Sequence, residues 1–387
     1  MEYDSRIYWI WLQHALGAGS SKPNRILTSY ASLKDFYRAG REAWLLEGYF
    51  TPKEIRSMSL WSEEEPAALL NYCNKIGQRV ITPDSGEYPE LLRQIPNPPC
   101  VLYVRGTIPD LSTRPSIAIV GTRRATASGR TAARSIAYEL AKKGAVVVSG
   151  GALGIDTAAH KGALQAGGIT VSVLGCGIDA PYLMANASMR DAIVQNGALI
   201  SEYPPDTQPI SSNFPIRNRI ISGLALGTLV VEAAAKSGSL ITADFALDQG
   251  RDVFAVPADI YSPVSQGVNG LIKAGAKPVS RAEEILEEYA EQFLGKNLLD
   301  GGKTNVIIED NGAETQKPSL EPALPNPGDF SEDAGRVYAA LTKKPLHISE
   351  IGLETGLSPQ QLLAAVTELE LSGAVQSYSG GRYSLPK

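Results

Sequence analysis

The sequence predicts an α/β protein built around a Rossmann-like, doubly wound parallel sheet. Short apolar runs rich in β-branched residues recur between residues 117 and 256, and a stretch with helical spacing follows each run. Strands that are apolar throughout, rather than alternately polar, are typical of a parallel sheet covered by helices on both faces. The predicted strands are 117–120, 146–149, 171–174, 198–201, 229–231 and 253–256, and the predicted helices are 126–143, 156–166, 188–195, 217–224, 240–249 and 269–274.

Before the sheet, residues 1–79 predict a small helical domain of the SAM or helix-hairpin-helix kind. Glycine breaks separate its helices, and Thr51, Pro52 and Glu54 form the start signal of one of them. Such a glycine turn between helices can hold a DNA backbone, but it is also how small helical modules turn, and both interpretations stay open. A proline-rich run at 95–104 predicts an extended entry into the next domain, which spans residues 80–294.

After the sheet, a helix is predicted at 282–293, and the composition of residues 295–330 predicts a flexible linker. Residues 331–387 predict a winged helix, with two strands after three helices. Its candidate recognition helix contains Glu368 and Glu370 but no Lys or Arg, a poor match to a polyanion, so we expect it to contribute little to DNA binding. The predicted helices are 333–341, 348–355 and 359–372, and the strands are 375–378 and 382–385.

Composition excludes several classes of protein. With 387 residues, 43% hydrophobic and 20% charged, the chain is globular and long enough for two or three domains. Its apolar runs are far shorter than the roughly 20 residues of a membrane span, and the acidic first residues do not resemble a targeting peptide. Three cysteines without a CxxC pair and three histidines predict neither a disulfide framework nor a structural metal. We expect a cytoplasmic protein with no cofactor.

Charge is unevenly distributed along the chain. The net charge is −5, yet residues 105–281 hold 17 of the 36 Lys and Arg and only 12 of the 41 Asp and Glu. The middle of the chain is therefore basic between acidic ends, and local surface charge rather than the total governs binding to polyanions.

Glycine- and serine-rich loops follow several predicted strands. Ligands of open α/β sheets bind beyond the carboxyl ends of the strands, where glycine lets backbone N–H groups approach and helix N-termini favour anions. These loops predict a phosphate-binding surface, although glycine in any one loop could simply form a tight turn. The predicted residues are Gly121, Thr122, Arg123, Arg124, Gly150, Gly151, Lys236, Gly238 and Ser239.

Other chemistries fit the sequence poorly. It contains no P-loop and no GxSxG motif. Residues 175–180 match the dinucleotide fingerprint, but Pro181 follows where a helix should begin. Asp156 and His160 could share a helix face and hold a metal, yet no third ligand is evident, and a hydrogen bond from His160 to its own helix neighbour is the simpler interpretation.

The segment 211–223 points to single-stranded nucleic acid. Arg217, Asn218 and Arg219 follow Phe214. In proteins that bind single strands, cationic side chains neutralise the phosphates while an aromatic ring stacks on the bases. The alternative is that Phe214 belongs to the core and Arg217 is the buried ion-pair partner of Glu232 or Glu202.

Several motifs together resemble the DNA-processing protein A (DprA/Smf) family. That resemblance implies a bacterial, cytosolic, non-enzymatic protein that binds single-stranded DNA, protects incoming strands in natural transformation and loads the RecA recombinase. Residues 80–294 would then be the DNA-binding domain. The motifs are VGTR at 120–123, SGGALGIDTAAH at 149–160, GCGID at 175–179, FPIRNRII at 214–221 and SGSLITA at 237–243.

The resemblance also implies roles for individual residues. Arg123 matches an arginine that holds DNA phosphates and Phe214 an aromatic that contacts a base, while Gly150, Gly151, Gly238 and Ser239 match loops that line the phosphate pocket. The segment GVNGLIK at 267–273 resembles the region where family members form dimers, with RecA contacts nearby. We therefore expect Leu271, Ile272 and Lys273 at a homodimer or partner interface.

Two points remain open at this stage. The loop 182–186 lacks the proline and lysine usual in the family, which puts a phosphate contact from it in doubt. The alternative function is a nucleotide-processing enzyme of the lysine-decarboxylase-like phosphoribohydrolase type, although residues 232–239 reverse the order of that family's PGGxGTxxE signature.

Overall fold

The computed structural model describes residues 3–182, 186–293, 330–342, 344–371, 374–378 and 382–385. The chain divides into two compact units, residues 1–305 and residues 306–387. The predicted linker at 295–330 lies outside the described residues except for Phe330. The boundary that the sequence suggests near residue 80, inside the first unit, stays a prediction.

A mixed nine-stranded sheet forms the centre of the first unit, and this confirms the predicted Rossmann-like α/β fold. Its order is β1-β2-β6-β5-β4-β3-β7-β8-β9, with parallel pairing from β6 to β9 and antiparallel pairing of β2 with β1 and β6. The strands are β1 (Arg79–Ile81), β2 (Leu102–Gly106), β3 (Ser116–Val120), β4 (Val146–Ser149), β5 (Thr170–Leu174), β6 (Gly197–Ser201), β7 (Gly227–Val230), β8 (Asp252–Ala255) and β9 (Lys277–Pro278).

Helices cover both faces of this sheet. Along β3, Ile117 and Ile119 pack into one apolar cluster, whereas Ala118 and Val120 pack into another on the opposite face, so the strand is buried on both sides. This double burial explains the continuous apolar pattern. The helices from the sheet onward are α6 (Glu90–Arg93), α7 (Ala127–Lys142), α8 (Ile155–Gln165), α9 (Ala187–Gln195), α10 (Asn213–Gly223), α11 (Gly238–Asp248), α12 (Gln266–Lys273) and α13 (Glu283–Leu286).

The first helices pack around an aromatic core. The Trp11 ring lies 5.3 Å from Trp44 and 6.0 Å from Phe36, and the same cluster continues to Leu174 and Leu199 of the sheet. The start signal at residue 51 is present, because Thr51 and Glu54 exchange side-chain and backbone hydrogen bonds. These helices are α1 (Arg6–Leu16), α2 (Lys22–Ser29), α3 (Leu33–Leu46), α4 (Pro52–Met58) and α5 (Glu64–Lys75).

Two local expectations need correction. The proline-rich entry segment ends in β2, which pairs with β6 and so extends the sheet instead of only leading to it. The helix expected at 282–293 is broken, because α13 gives way to short 3₁₀ turns at Glu287–Tyr289 and Glu291–Phe293. The Tyr289 hydroxyl donates to Asp252 at 2.8 Å, and this tertiary contact draws the chain onto β8.

The second unit is a winged helix, as predicted. It contains α14 (Glu332–Ala340), α15 (Ile348–Thr355) and α16 (Pro359–Leu371), with the strands β10 (Leu346–His347), β11 (Gln376–Tyr378) and β12 (Arg382–Ser384) in the order β10-β12-β11. The short β10 was not expected from the sequence. Within the described part of the chain, no helix is both long and apolar enough to span a bilayer.

Candidate nucleic-acid interface

A cavity of about 470 Å³ opens beyond the carboxyl ends of β3 and β7. Chain order reverses between these neighbours, since β4 lies on the other side of β3, and such a switch point is where open α/β sheets bind ligands. Nine residues predicted from the sequence line this cavity: Gly121, Thr122, Arg123, Arg124, Phe214, Arg217, Asn218, Gly238 and Ser239.

An aromatic and cationic platform lies within the cavity. Phe214, the first aromatic residue of α10, is half-buried, and the guanidinium carbon of the exposed Arg123 lies 5.0 Å from its ring centroid. The Tyr182 ring, which does not itself line the cavity, lies 5.4 Å from the Phe214 ring. Sequence reasoning missed this neighbour of Phe214, although an aromatic in the loop after a parallel strand was the available signal. The arrangement offers a base-stacking surface beside a phosphate-binding cation.

Arg217 forms the floor beneath this platform. Its side chain is only 4% exposed, and its Nη1 donates to the carbonyl oxygens of Gly150, at 2.7 Å, and of Val173. It therefore ties together the ends of β4 and β5, and its guanidinium carbon lies 5.8 Å from the Phe214 ring centroid. The alternative ion pair with Glu232 or Glu202 is therefore not the one that Arg217 forms, and a contact of Arg217 with DNA stays a prediction.

Asp156 faces Arg217 across Gly150. A Cβ atom on Gly150 would lie 2.7 Å from both Arg217 Nη2 and Asp156 Oδ2, so a larger residue there would displace one of these side chains. Burial raises the pKa of Asp156 to about 6, while the nearby Arg217 charge opposes that rise. Among the described residues, Asp156 is the one carboxylate that lines the cavity.

Arg219 is placed elsewhere. It is 1% exposed and forms a bidentate ion pair with Glu202, with N···O distances of 2.7 and 2.8 Å. Its Nε donates to the carbonyl of Asn97, and Glu202 also accepts from the backbone of Gly19. The pair therefore links α10 to the N-terminal helices and does not belong to the cavity.

At two helix N-termini on this edge of the sheet, a carboxylate side chain of the protein itself already accepts the hydrogen bonds that an anion would accept. At the start of α7, the Glu232 carboxylate accepts from the Thr126 backbone N–H at 2.9 Å and from the Thr126 hydroxyl. At the start of α8, Asp156 accepts from the Ala152 N–H at 3.3 Å. A dinucleotide phosphate at α7, the usual Rossmann position, would compete with Glu232.

The N-terminus of α11 differs from these two. Its cap is Ser237, whose hydroxyl lies 2.8 Å from that of Ser239, and no carboxylate of the described residues lines the cavity on this side. A Cβ on Gly238 would meet no atom within 4 Å, so the open space at this glycine is available to a ligand. Lys236 is exposed in the loop before α11 but does not line the cavity. Gly151 does not line the cavity either, because it is buried against Ser172.

His160 is a structural residue. It is fully buried, and its Nδ1 lies 2.8 Å from the Thr170 hydroxyl on β5, so the expected hydrogen bond to a neighbour on its own helix is not found. Burial lowers its pKa to about 3, which leaves the ring neutral. The described residues contain no group of three His, Cys, Asp or Glu side chains able to hold a metal.

Two other expected elements can be located in part. Residues 183–185 lie outside the described residues, and Asn186 at the end of that loop turns inward, donating to the Gly151 carbonyl at 3.3 Å and the Thr157 hydroxyl at 3.1 Å. On α12, Leu271 and Ile272 are half-buried against the sheet's apolar cluster, whereas Lys273 is exposed.

Comparison with known proteins agrees with these motifs. A family model described as DNA recombination-mediator protein A matches residues 79–290, and one described as DprA winged helix domain matches residues 317–381. The chain is 32% identical to Protein Smf of Synechocystis over 99% of both chains. The chain belongs to the DprA/Smf family. It is also 41% identical to DNA processing protein DprA of Bacillus subtilis, over 62% of this chain and 83% of that one.

Solved structures of the family share the fold. The X-ray structure of DprA from Streptococcus pneumoniae superposes with a TM-score of 0.63 at 32% identity, covering 74% of this chain and 99% of that chain. A DprA structure from Helicobacter pylori, described for its unique single-stranded DNA binding mode, gives a TM-score of 0.50 at 33% identity over 55% of this chain and 96% of that chain.

Because Arg219 is buried in an ion pair, Arg219→Ala is expected to destabilise the fold. Loss of one partner leaves the Glu202 charge uncompensated, which costs about 3–5 kcal/mol of unfolding free energy. Urea denaturation measures this loss. The double variant Arg219→Met, Glu202→Gln removes the buried charge and should recover part of the stability. An Arg219→Ala protein of normal stability that fails to bind DNA would show instead that Arg219 is a DNA contact.

The cavity should bind polyanions more tightly at low pH. With a folded pKa of about 6, Asp156 is ionised at pH 7.5 and mostly protonated at pH 5, so acid removes a negative charge from the cavity. We expect a gain of about 1 kcal/mol, roughly fivefold in affinity for oligo-dT at constant salt. Asp156→Asn should abolish this gain, whereas the control Asp248→Asn, on the exposed surface of α11, should keep it. A pH dependence that survives in Asp156→Asn would contradict the assignment.

Proposed function

We propose that this protein binds single-stranded DNA in the cavity at the switch point, protects incoming strands during natural transformation and loads the RecA recombinase onto them in the cytoplasm. The observation that carries the proposal is the Phe214 ring in the cavity, flanked by Arg123, contacted by Tyr182 and supported by the buried Arg217. Membership of the family and the described binding mode of the Helicobacter pylori relative support it.

The geometry favours a single strand over a duplex. A half-buried ring inside a cavity can stack only on a base that is free of its own neighbours, and the bases of a duplex are stacked and paired. Arg123 and the α11 N-terminus, which both line the cavity, supply a cation and N–H groups for the phosphates on either side of that base. Contacts of this kind do not read sequence, so the proposed binding is sequence-independent.

We also propose that the role is not enzymatic. Asp156, the carboxylate of the cavity wall, faces the Arg217 guanidinium, and Glu232 is committed to the α7 N-terminus. His160 is buried and neutral, and it contacts Thr170 at the amino end of β5, away from the cavity. Asp156 and Glu232 are thus engaged in structural contacts around the cavity, and such use supports a binding site over a phosphoribohydrolase active site.

Two substitutions should separate the charge from the aromatic ring. Arg123→Ala should weaken binding to all sequences alike and reduce the salt slope of the association constant by about 0.7, the value for one phosphate of a single strand. Phe214→Ala should cost roughly 1–3 kcal/mol with the salt slope nearly unchanged, since stacking is not ionic. Fluorescence anisotropy with oligo-dT across a salt series measures both.

The control for these variants is Arg281→Ala, which removes a mostly exposed arginine outside the cavity and should change neither quantity. Thermal melting verifies that each variant is folded. Equal affinity of the unmodified protein for single strands and duplex at matched salt would contradict the proposed function.

We further propose that two copies associate through the surface around α12 and the neighbouring sheet edge. Leu271 is half-buried there, and it lines a shallow groove together with Leu247, whose side chain is 59% exposed. Exposed leucine beside such a groove supports a contact surface. Leu271, Ile272 and Lys273 would lie within it, as the family resemblance implies, with RecA contacts nearby.

Leu247→Glu tests this surface, because its exposure lets the fold tolerate a charge. Sedimentation should change from dimer to monomer, since an ionised carboxylate cannot be buried at a contact without a partner. Leu46→Glu, at a position that is 88% exposed on α3, is the matched control and should leave the dimer intact. A Leu247→Glu protein that remains dimeric would place the interface elsewhere.

A further inference from the structure

A second cavity, of about 390 Å³, lies between α7 and α8, outside the cavity described above. We name it the basic groove and define it by Arg130, Arg134 and Lys161, with the hydroxyls of Thr131 and Thr157 between them. All three cations are exposed. Among the described residues, no Asp or Glu lines the groove and no ion pair uses any of its cations.

Close helix packing creates this groove and holds its cations in place. The two helices meet through small residues, and a Cβ on Gly162 of α8 would collide with the Arg134 carbonyl. Arg134 then reaches across to α8, where its Nε donates to the Gln165 side chain at 2.6 Å. Arg130 donates from Nη1 to the Ala125 carbonyl at 2.6 Å. Each guanidinium is thus anchored by one group and keeps further N–H donors for a ligand.

The groove begins directly behind the mouth of the first cavity. Gly154 lines the groove, and a Cβ on it would lie 2.7 Å from the Arg123 carbonyl, in the loop that lines the cavity. The Ile155 N–H donates to the Thr122 carbonyl at 3.3 Å, so the two loops are bonded together. Arg123 and Arg124 are exposed on this shared wall. A strand leaving the cavity over this wall passes from one cationic surface to the next.

This concentration of positive charge contrasts with the acidic chain. The whole protein carries −5, whereas the segment from residue 121 to residue 161 contains only two acidic residues, Glu139 and the buried Asp156. Arg130 and Arg134 lie one helical turn apart, about 6 Å along α7, a spacing comparable to that of successive phosphates in an extended strand. The described residues that line the groove include no aromatic side chain, so its chemistry suits the backbone and not the bases.

We propose that the basic groove binds the sugar–phosphate backbone of the same single strand, beyond the nucleotides held in the first cavity. This inference rests on the proposed function and deepens it, because it gives the bound strand a path across the protein surface from the cavity to the groove. The cavity stacks and orients one part of the strand, and the groove adds affinity in proportion to the phosphates that reach it.

The test compares Arg134→Gln, Lys161→Gln with the unmodified protein on oligo-dT strands from six to thirty nucleotides long. Glutamine keeps the helix propensity and a polar end group but removes the charge. The matched control, Lys53→Gln, Arg56→Gln, removes two exposed cations from α4 and so changes net charge equally. For the groove variant we expect unchanged affinity on the shortest strand, about tenfold weaker binding on the longest, and a salt slope reduced by about 1.4, the value for two phosphates.

The outcomes distinguish the groove from the cavity. A loss that is equal at every strand length, or equal in the control variant, would overturn the groove as a strand-binding site, because it would reflect general charge. Unchanged binding at every length, alongside a loss in Arg123→Ala, would overturn the groove and leave the proposed function standing. Failure of the unmodified protein to bind any strand would overturn both.

Discussion

The candidate site depends on one buried guanidinium. Arg217 lies beneath the cavity with almost no exposed surface, a costly position for a charge unless its donors are satisfied. Hydrogen bonds to the Gly150 and Val173 carbonyls satisfy some of its donors, and the negative charge of the Asp156 carboxylate partly compensates the positive charge of the guanidinium. The same side chain thereby fixes the ends of two strands and supports the Phe214 ring. Without it, the strand ends, the loop after β4 and the aromatic platform would lose their common anchor.

Carboxylate side chains of the protein also restrict the places where the anionic groups of a ligand can bind. Glu232 at α7 and Asp156 at α8 occupy the helix N-termini that a Rossmann fold normally presents to a nucleotide's phosphates. What remains open is the α11 N-terminus beside Arg123 and the exposed loop surface that leads to α7 and α8. An open, shallow, cationic surface with one stacking platform suits a polymer, which crosses a site, more than a dinucleotide, which fills one.

Much of the fold could be predicted from residue patterns. Strands β3 to β8 follow continuous apolar runs, and Thr51 with Glu54 marks a helix start through local hydrogen bonds that depend on neighbours in sequence. The missed elements depend on distant partners. Strand β2 forms because it pairs with the distant strand β6. The helix expected after residue 282 is interrupted where the Tyr289 hydroxyl donates a hydrogen bond to Asp252. The contact of the Tyr182 ring with Phe214 likewise joins residues that are distant in sequence.

The sequence by itself determined the doubly wound sheet, the edge at which a ligand would bind and the residue types gathered there, because these follow from periodicity and from the geometry of parallel strands. Only the tertiary structure decided what each basic residue does. Arg217 and Arg219 are two positions apart and follow the same aromatic residue, Phe214, so the sequence pattern predicts the same role for both. On α10 they are about 200° apart around the axis. One therefore supports the cavity from below, while the other pairs with Glu202 on the opposite side and binds the N-terminal helices to the sheet.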